Sequence, residues 1–152
     1  SFKDITPLLA NPAAITQVIK DMVEPFKDDR VDCVAAIEAR GYIFGASVAY
    51  ELGVGFIPIR KAGKLPAETV RVDYSLEYGT ASLEAHVDAI GTGQRVLVVD
   101  DILATGGTIV ATIKLLEQLG AVIVGVVVLG NLTDLEGYKN LEGYKLISLL
   151  NM

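Results

Sequence analysis

The run Arg95 to Thr108, RVLVVDDILATGGT, constrains the fold more than any other stretch of the chain. Val96 to Val99, with Ile102 close behind, show no polar alternation. That pattern predicts a strand buried on both faces, as the central strands of a parallel sheet are. The strand is expected to end in two carboxylates, Asp100 and Asp101. The small-residue turn Ala104-Thr105-Gly106-Gly107-Thr108 follows, and then a helical pattern. Such a turn leaves backbone N–H groups aimed outward at the positive end of the helix, which makes a cradle for a phosphate. The two acids cannot share that phosphate, because like charges repel. They can accept hydrogen bonds from neighbouring hydroxyls, so a sugar phosphate with a cis-diol satisfies both halves. The plain alternative is a strand–turn–helix joint whose acids cap the helix. Paired acids followed by GGT exceed what capping requires.

The remaining chain reads as an α/β unit of mostly parallel strands. Ser1 to Asn11 reads as irregular. Asn11-Pro12 then supplies an N-cap and a first helical residue. Ile15, Val18, Ile19, Met22 and Val23 form an apolar stripe behind it. Val31 to Ile37 reads as a buried strand that delivers Glu38-Ala39-Arg40-Gly41 to its carboxyl end, where ligands of open parallel sheets bind. Arg40 with a permissive glycine suits an anion. The helix Tyr42 to Leu52 carries Gly45, Ala46 and Ala49, small enough for close contact with the sheet. Phe56 to Ile59 is a third strand, ending in RKAGKLP (60–66), three cations where polyanion binding competes with a solvated charge run.

Arg71 to Leu76 and Thr80 to Ala85 read as the arms of a hairpin flap around Tyr78-Gly79, a candidate lid. Its acids are Glu77 and Glu84; the lone histidine, His86, reads as a surface or packing residue. After the signature strand, Ile109, Ile113 and Leu116 face inward on a helix that Gly120 ends. Ala121 to Leu129 is another central strand, with Gly130 to Thr133 at its end, and Tyr144 to Leu150 is a last short strand. No internal repeat, linker or low-complexity tract is expected. The polar groups sit at four strand ends, Glu38–Gly41, Arg60–Lys64, Asp100–Thr108 and Gly130–Thr133, whose convergence on one edge is the central structural expectation.

Composition narrows the class. The 152 residues, 51% hydrophobic, suffice for one packed domain, taken as 1–152. A net charge of −6 argues against nucleic-acid or membrane-surface binding. The one cysteine, Cys33, lies in an apolar run and reads as a core residue in a reducing compartment. Without an apolar stretch of membrane length or a visible signal peptide, a cytoplasmic location is expected. The chain starts without Met, so an N-terminal leader is expected to be missing from it.

VLVVDDILATGGT resembles the ribose-phosphate signature of the type I phosphoribosyltransferases, enzymes that use phosphoribosyl pyrophosphate (PRPP). The resemblance covers essentially the whole chain. It extends to Phe2-Lys3-Asp4-Ile5-Thr6-Pro7, Glu38-Ala39-Arg40-Gly41, RKAGKLP (60–66) and YSLEYG (74–79). The last two segments point to the adenine-specific branch. The resemblance implies the type I phosphoribosyltransferase fold: a mostly parallel sheet flanked by helices, with a flexible β flap and a small N-terminal hood. It implies transfer of the 5-phosphoribosyl group from PRPP to N9 of adenine, giving AMP and pyrophosphate, with Mg2+ as cofactor and a homodimer as the assembly.

By the family pattern, Asp100 and Asp101 hold the ribose hydroxyls, or the metal and water near them. Mg2+ itself is held mainly by PRPP, with no direct protein ligand. Ala104, Thr105, Gly106, Gly107 and Thr108 bind the 5-phosphate. Glu38, Ala39, Arg40 and Gly41 form the pyrophosphate loop, often with a non-proline cis peptide. Arg60, Lys61 and Lys64 join them on the pyrophosphate. Glu77 is the flap carboxylate for proton transfer with the purine, with Tyr78 beside it; Arg40 completes the catalytic set. Phe2 and Leu132 line the adenine slot, and backbone groups at Ser1 and Lys3 read its amine edge. Two departures stand out. The family carries a longer N-terminal leader, and Asn131 stands where some members have an acid.

Three rival classes fit less well. A PRPP-sensing regulator would need no flap acid and would usually carry a nucleic-acid-binding segment. A phospho-acceptor receiver domain places its acid pair early in the chain. A P-loop nucleotidase needs the lysine of GK[ST], which this turn lacks. A phosphoribosyltransferase for another base, xanthine or hypoxanthine, remains the nearest alternative.

Overall fold

The structure is a computed structural model that describes residues 4–76 and 78–152. Its centre is a seven-stranded sheet in the order β3-β4-β2-β1-β5-β6-β7. The strands are β1 (Cys33–Ile37), β2 (Gly55–Lys61), β3 (Thr69–Leu76), β4 (Gly79–His86), β5 (Arg95–Leu103), β6 (Val122–Asn131) and β7 (Leu146–Asn151). Strands β2, β1, β5, β6 and β7 run parallel. The flap hairpin β3–β4 continues the same sheet, because β4 pairs antiparallel with β2 through Arg60 opposite Glu84 and Lys61 opposite Leu83. The helices are α1 (Thr6–Ala10), α2 (Pro12–Val23), α3 (Arg40–Leu52) and α4 (Gly107–Gln118).

The apolar runs of β1 and β5 are double-sided, as their lack of alternation requires. Cys33, Ala35 and Ile37, with Val96 and Val98, face a core under α4 and the flap arms, where Ile109, Ile113, Leu116, Val72 and Leu83 are buried. Val34 and Ala36, with Leu97 and Val99, face the other core, built by Ile5, Met22, Phe26, Phe44 and Val48 from the α1–α3 side. Removing a large aliphatic or aromatic side chain of this kind from water is worth about 1.5–3 kcal/mol. That burial, more than helix propensity, fixes the layers.

Several sequence expectations shift. The strand β5 runs through both acids to Leu103. Ser1 to Asn11 is not wholly irregular: Thr6–Ala10 forms one helical turn, with Pro7 in its first turn and the Thr6 N–H donating to Asp4 Oδ1 at 2.9 Å. A lone turn of five residues carries no periodicity to read. Asn11 caps α2 as expected, its Oδ1 accepting from the Ala14 N–H at 3.1 Å. Gly45 lets α3 close on the sheet, since a Cβ there would lie 2.5 Å from Ala36 Cβ. Ala46 does not share that role; it is exposed. Among the described residues no helix is long and apolar enough to cross a membrane.

The strand order places the site. From β1 the chain moves to β2 on one side, whereas β5, β6 and β7 build outward on the other. The carboxyl ends of β1 and β5 therefore flank the point where the winding reverses, which is where open α/β sheets leave a crevice.

Candidate active site

A cleft of ≈ 350 Å3 opens at that point. The end of β1 and start of α3 (Ile37 to Gly41) line one wall, and Asp100 to Ile109 line the other. The β1–α3 and β5–α4 loops, read separately from sequence, thus form one site.

Glu38 is an organiser of the first wall. Its Oε1 accepts from the Lys61 backbone N–H at 2.8 Å and from Arg60 Nε at 3.3 Å, and its Oε2 accepts from Arg60 Nη2 at 3.4 Å. Burial pushes its carboxyl upward, but the Lys61 N–H and the Arg60 guanidinium outweigh that and hold it below its ordinary value. Glu38 is therefore an anion that pairs with Arg60; Arg60 does not itself line the cleft. The Glu38–Ala39 peptide is cis. Tyr42, one turn into α3, donates its hydroxyl to the Ile59 carbonyl at 2.9 Å and ties the helix start to β2.

Arg40 bridges the two walls. Its Nε stands 2.7 Å from Asp101 Oδ2, with the Asp101 side chain only 6% exposed. The contact is an ion pair across the cleft that engages Asp101 Oδ2. Asp100 Oδ1 accepts the Asp101 N–H at 2.8 Å. Burial and the charge of Asp101 push the Asp100 carboxyl well up from the usual range. Gly41 has a sharper purpose than anion access. A Cβ at Gly41 would lie 2.8 Å from Asp100 Oδ1, so the glycine makes room for the acid.

The loop Ala104 to Gly106 leads into α4, whose N-cap is Gly106 with φ 88° and no side-chain cap. The first N–H groups of α4 are thus left to the cleft, at the positive helix end. Among the described residues no group of three or more His, Cys, Asp and Glu side chains could hold a metal ion.

The basic loop after β2 lies beside the cleft. Glu84 on β4 pins it: its Oε1 accepts the Gly63 N–H at 2.5 Å, and its other oxygen accepts from the Thr69 hydroxyl. These bonds, the hydroxyl's foremost, hold the Glu84 carboxyl below its ordinary value. His86 accepts the Ala67 N–H at 3.4 Å, a packing role as expected. Lys61 contributes its backbone N–H to Glu38, while the side chains of Lys61 and Lys64 are exposed. Neither lines the cleft, and Tyr78, 96% exposed beside the flap tip, does not either. Phe2, Lys3 and Glu77 lie outside the described residues, as does Ser1. Leu132 sits at the neighbouring strand end, its N–H donating to the Leu103 carbonyl at 2.9 Å. Asn131 is 7% exposed, and its Oδ1 has no hydrogen-bond partner among the described residues.

Sequence reasoning missed two groups. Glu84 reads from the sequence only as a flap acid, although its register opposite Arg60 marks it as part of the basic loop's support. Gly137 and Asn140 back the phosphate loop from the other side. Asn140 Nδ2 donates to the Thr105 carbonyl at 2.9 Å. The overlooked signal was a repeat after all: LEGYK occurs at 135–139 and again at 141–145. The first copy reaches the loop. The second anchors the fold, with Tyr144 donating to Glu117 at 3.1 Å and Lys145 pairing with Asp29 at 3.0 Å.

Comparison with known proteins agrees with this geometry. Residues 4–148 match the model of the phosphoribosyl transferase domain. The chain is 54% identical to the adenine phosphoribosyltransferase of Thermoanaerobacter sp. (strain X514), over 98% of this chain and 86% of that one. It superposes on the crystal structure of the Thermoanaerobacter pseudethanolicus adenine phosphoribosyltransferase with a TM-score of 0.96 at 53% identity, covering 99% of this chain and 88% of that one. The Saccharomyces cerevisiae enzyme, crystallised with an imino-altritol bisphosphate and adenine, gives 0.92 at 37% identity, covering 98% and 86%. The cleft between two strand ends, its paired acids and its glycine-capped helix are thus set in a chain that belongs to the phosphoribosyl transferase family, on the branch of the adenine phosphoribosyltransferases.

Proposed function

We propose that the protein transfers the 5-phosphoribosyl group of PRPP to N9 of adenine, releasing pyrophosphate and forming AMP. The observation that carries this reading is the 2.7 Å approach of Arg40 to Asp101. It joins an anion-binding loop and a pair of hydroxyl-accepting acids across one cleft, as a ribose with phosphates at both ends demands.

The bond that breaks joins C1 of the ribose to the pyrophosphate oxygen. Positive character builds on the sugar and negative charge on the leaving group, so electrostatic support at the departing oxygens does most of the catalysis. Arg40 provides it from within the cleft, and Arg60, held by Glu38 on the adjoining strand, adds charge beside it; Lys64 adds charge from the neighbouring loop. Asp100 and Asp101 accept the ribose hydroxyls, and the backbone of Ala104 to Thr108 takes the 5-phosphate. The carboxyl oxygens of Asp100 and Asp101 are hard donors of the kind that suit a magnesium ion that keeps its waters and arrives with PRPP. When bound, Mg2+ neutralises pyrophosphate charge. Glu77 manages the proton on the base, a contribution of about 10²–10⁴-fold, with Tyr78 next to it. The flap keeps water from the cation-like sugar, and Phe2, Lys3 and Leu132 hold the base.

The active form is a cytoplasmic homodimer. The exposed Ile43 and Tyr50 on α3 offer an apolar surface for the second copy. Burial pushes the Cys33 thiol up to about 11, which keeps it inert in a reducing compartment. The test is incubation with PRPP, Mg2+ and each purine or pyrimidine base in turn. Nucleotide formed from adenine alone is the expected result; nucleotide from hypoxanthine or xanthine but not adenine refutes the assignment.

A further inference from the structure

The 5-phosphate cradle is made of backbone, and backbone N–H groups can face a ligand only if something fixes the peptide planes from behind. In a trans peptide the C=O and the following N–H point in opposite directions. Holding the Thr105 carbonyl away from the cleft therefore turns the Gly106 N–H toward it. Asn140 does the holding: its Nδ2 donates to the Thr105 carbonyl at 2.9 Å. Gly137 supplies the seat. A Cβ on Gly137 would fall 2.1 Å from the Ala104 carbonyl oxygen and 2.8 Å from the Thr105 carbonyl carbon. A Cβ on Gly106 would fall 2.9 Å from the Gly137 carbonyl oxygen. The atoms in the way are all backbone, so neither side can yield by turning a rotamer. Leu141, 2% exposed, roots this segment in the core beside α4.

We infer that the short 3-10 segment Gly137–Leu141 sets the shape of the phosphate loop, with Asn140 as a positioning residue for 5-phosphate binding and Gly137 as the contact that lets the two backbones interlock. The inference rests on the reading of Ala104 to Thr108 as the 5-phosphate site. Asn140 touches no substrate; it acts through the Thr105–Gly106 peptide. Its own side chain is exposed, so removing it leaves no cavity in the core.

The test uses the whole protein and ribose 5-phosphate as the probe, titrated by calorimetry, alongside steady-state kinetics and thermal unfolding. Losing one such hydrogen bond corresponds to about 3- to 10-fold in affinity. Asn140→Ala is expected to raise the ribose 5-phosphate Kd and the PRPP KM by that factor, with the adenine KM and the kcat at saturation unchanged and Tm lowered by no more than about 2–4 °C. Asn140→Asp has the same size but no N–H to donate, and its carboxylate would face the Thr105 carbonyl oxygen, so it is expected to lose at least as much. Wild-type affinity in Asn140→Ala, wild-type affinity in Asn140→Asp, or a parallel fall in Tm and both KM values overturns the inference while leaving the phosphate-site reading intact. A wild-type protein that binds no ribose 5-phosphate overturns the reading and the inference together.

Discussion

Gly41→Ala separates the site from the fold. The new Cβ would sit 2.8 Å from Asp100 Oδ1, and its next neighbours, at 3.7 Å, are at ordinary contact distance. The carboxylate is the movable end of a side chain, so it rotates away and gives up the hydrogen bond it accepts from the Asp101 N–H. That loss is about 0.5–1.5 kcal/mol. Replacing glycine by alanine within a helix returns about 0.5–1 kcal/mol, and Gly41 lies in the first turn of α3. The two nearly cancel, so Tm should stay within about 2–4 °C of wild type. Binding does not cancel. A neutral hydrogen bond between the Asp100 carboxyl and a ribose hydroxyl is worth about 0.5–1.5 kcal/mol, so a displaced Asp100 weakens PRPP by about 2- to 10-fold. Gly45→Ala, on the same helix, is the control. Its Cβ would meet Ala36 Cβ at 2.5 Å in the core, and overpacking of that kind destabilises by about 1–3 kcal/mol. Calorimetric titration of PRPP and thermal unfolding of both variants decide the matter. Full PRPP affinity in Gly41→Ala, or a Tm loss equal to that of Gly45→Ala, refutes the reasoning.

Other outcomes follow from the same geometry. Glu77→Gln lowers turnover by about 10²–10⁴-fold and leaves PRPP affinity nearly intact; lost PRPP binding with normal turnover contradicts its role. Asp101→Asn weakens PRPP by about 10-fold or more in a calorimetric titration, since an amide cannot replace the carboxylate facing Arg40; unchanged affinity removes it from the ribose site. Asp100 gives the unliganded protein a pH signature. Burial and the neighbouring Asp101 charge raise its carboxyl, so the folded state keeps a proton that the unfolded chain has released. The resulting stability is full below the ordinary carboxylate range and is lost as pH rises through the raised value. Asp100→Asn should flatten that decline in Tm; an unaltered slope shows that another group sets it.

The sequence made the layers and the strand-end edge legible because both rest on strong local signals. Val96 to Val99 and Val126 to Leu129 lack polar alternation, and in the structure both lie buried on two faces of the sheet. Asn11-Pro12 is a local cap and needs no partner from elsewhere. What stayed hidden depends on contacts distant in the chain. Gly41 reads as loop freedom, yet its neighbour is Asp100 on another strand. Glu84 reads as a flap acid until pairing with β2 sets it opposite Arg60. Asn140 lies 35 residues from the carbonyl it supports. The extension of β5 through Asp100 and Asp101 was equally unreadable, because charged residues in a strand are tolerated only where a cleft and a counter-charge receive them. Arg40 is that counter-charge.

The central claim is that one cleft at the reversal point of the sheet grips both ends of a phosphoribosyl group. A crystal structure of the protein with PRPP and Mg2+ tests it most directly. The account predicts ribose density against Asp100 and Asp101, the 5-phosphate over Ala104 to Thr108, and the pyrophosphate beside Arg40. PRPP density anywhere else, with those residues untouched, contradicts it.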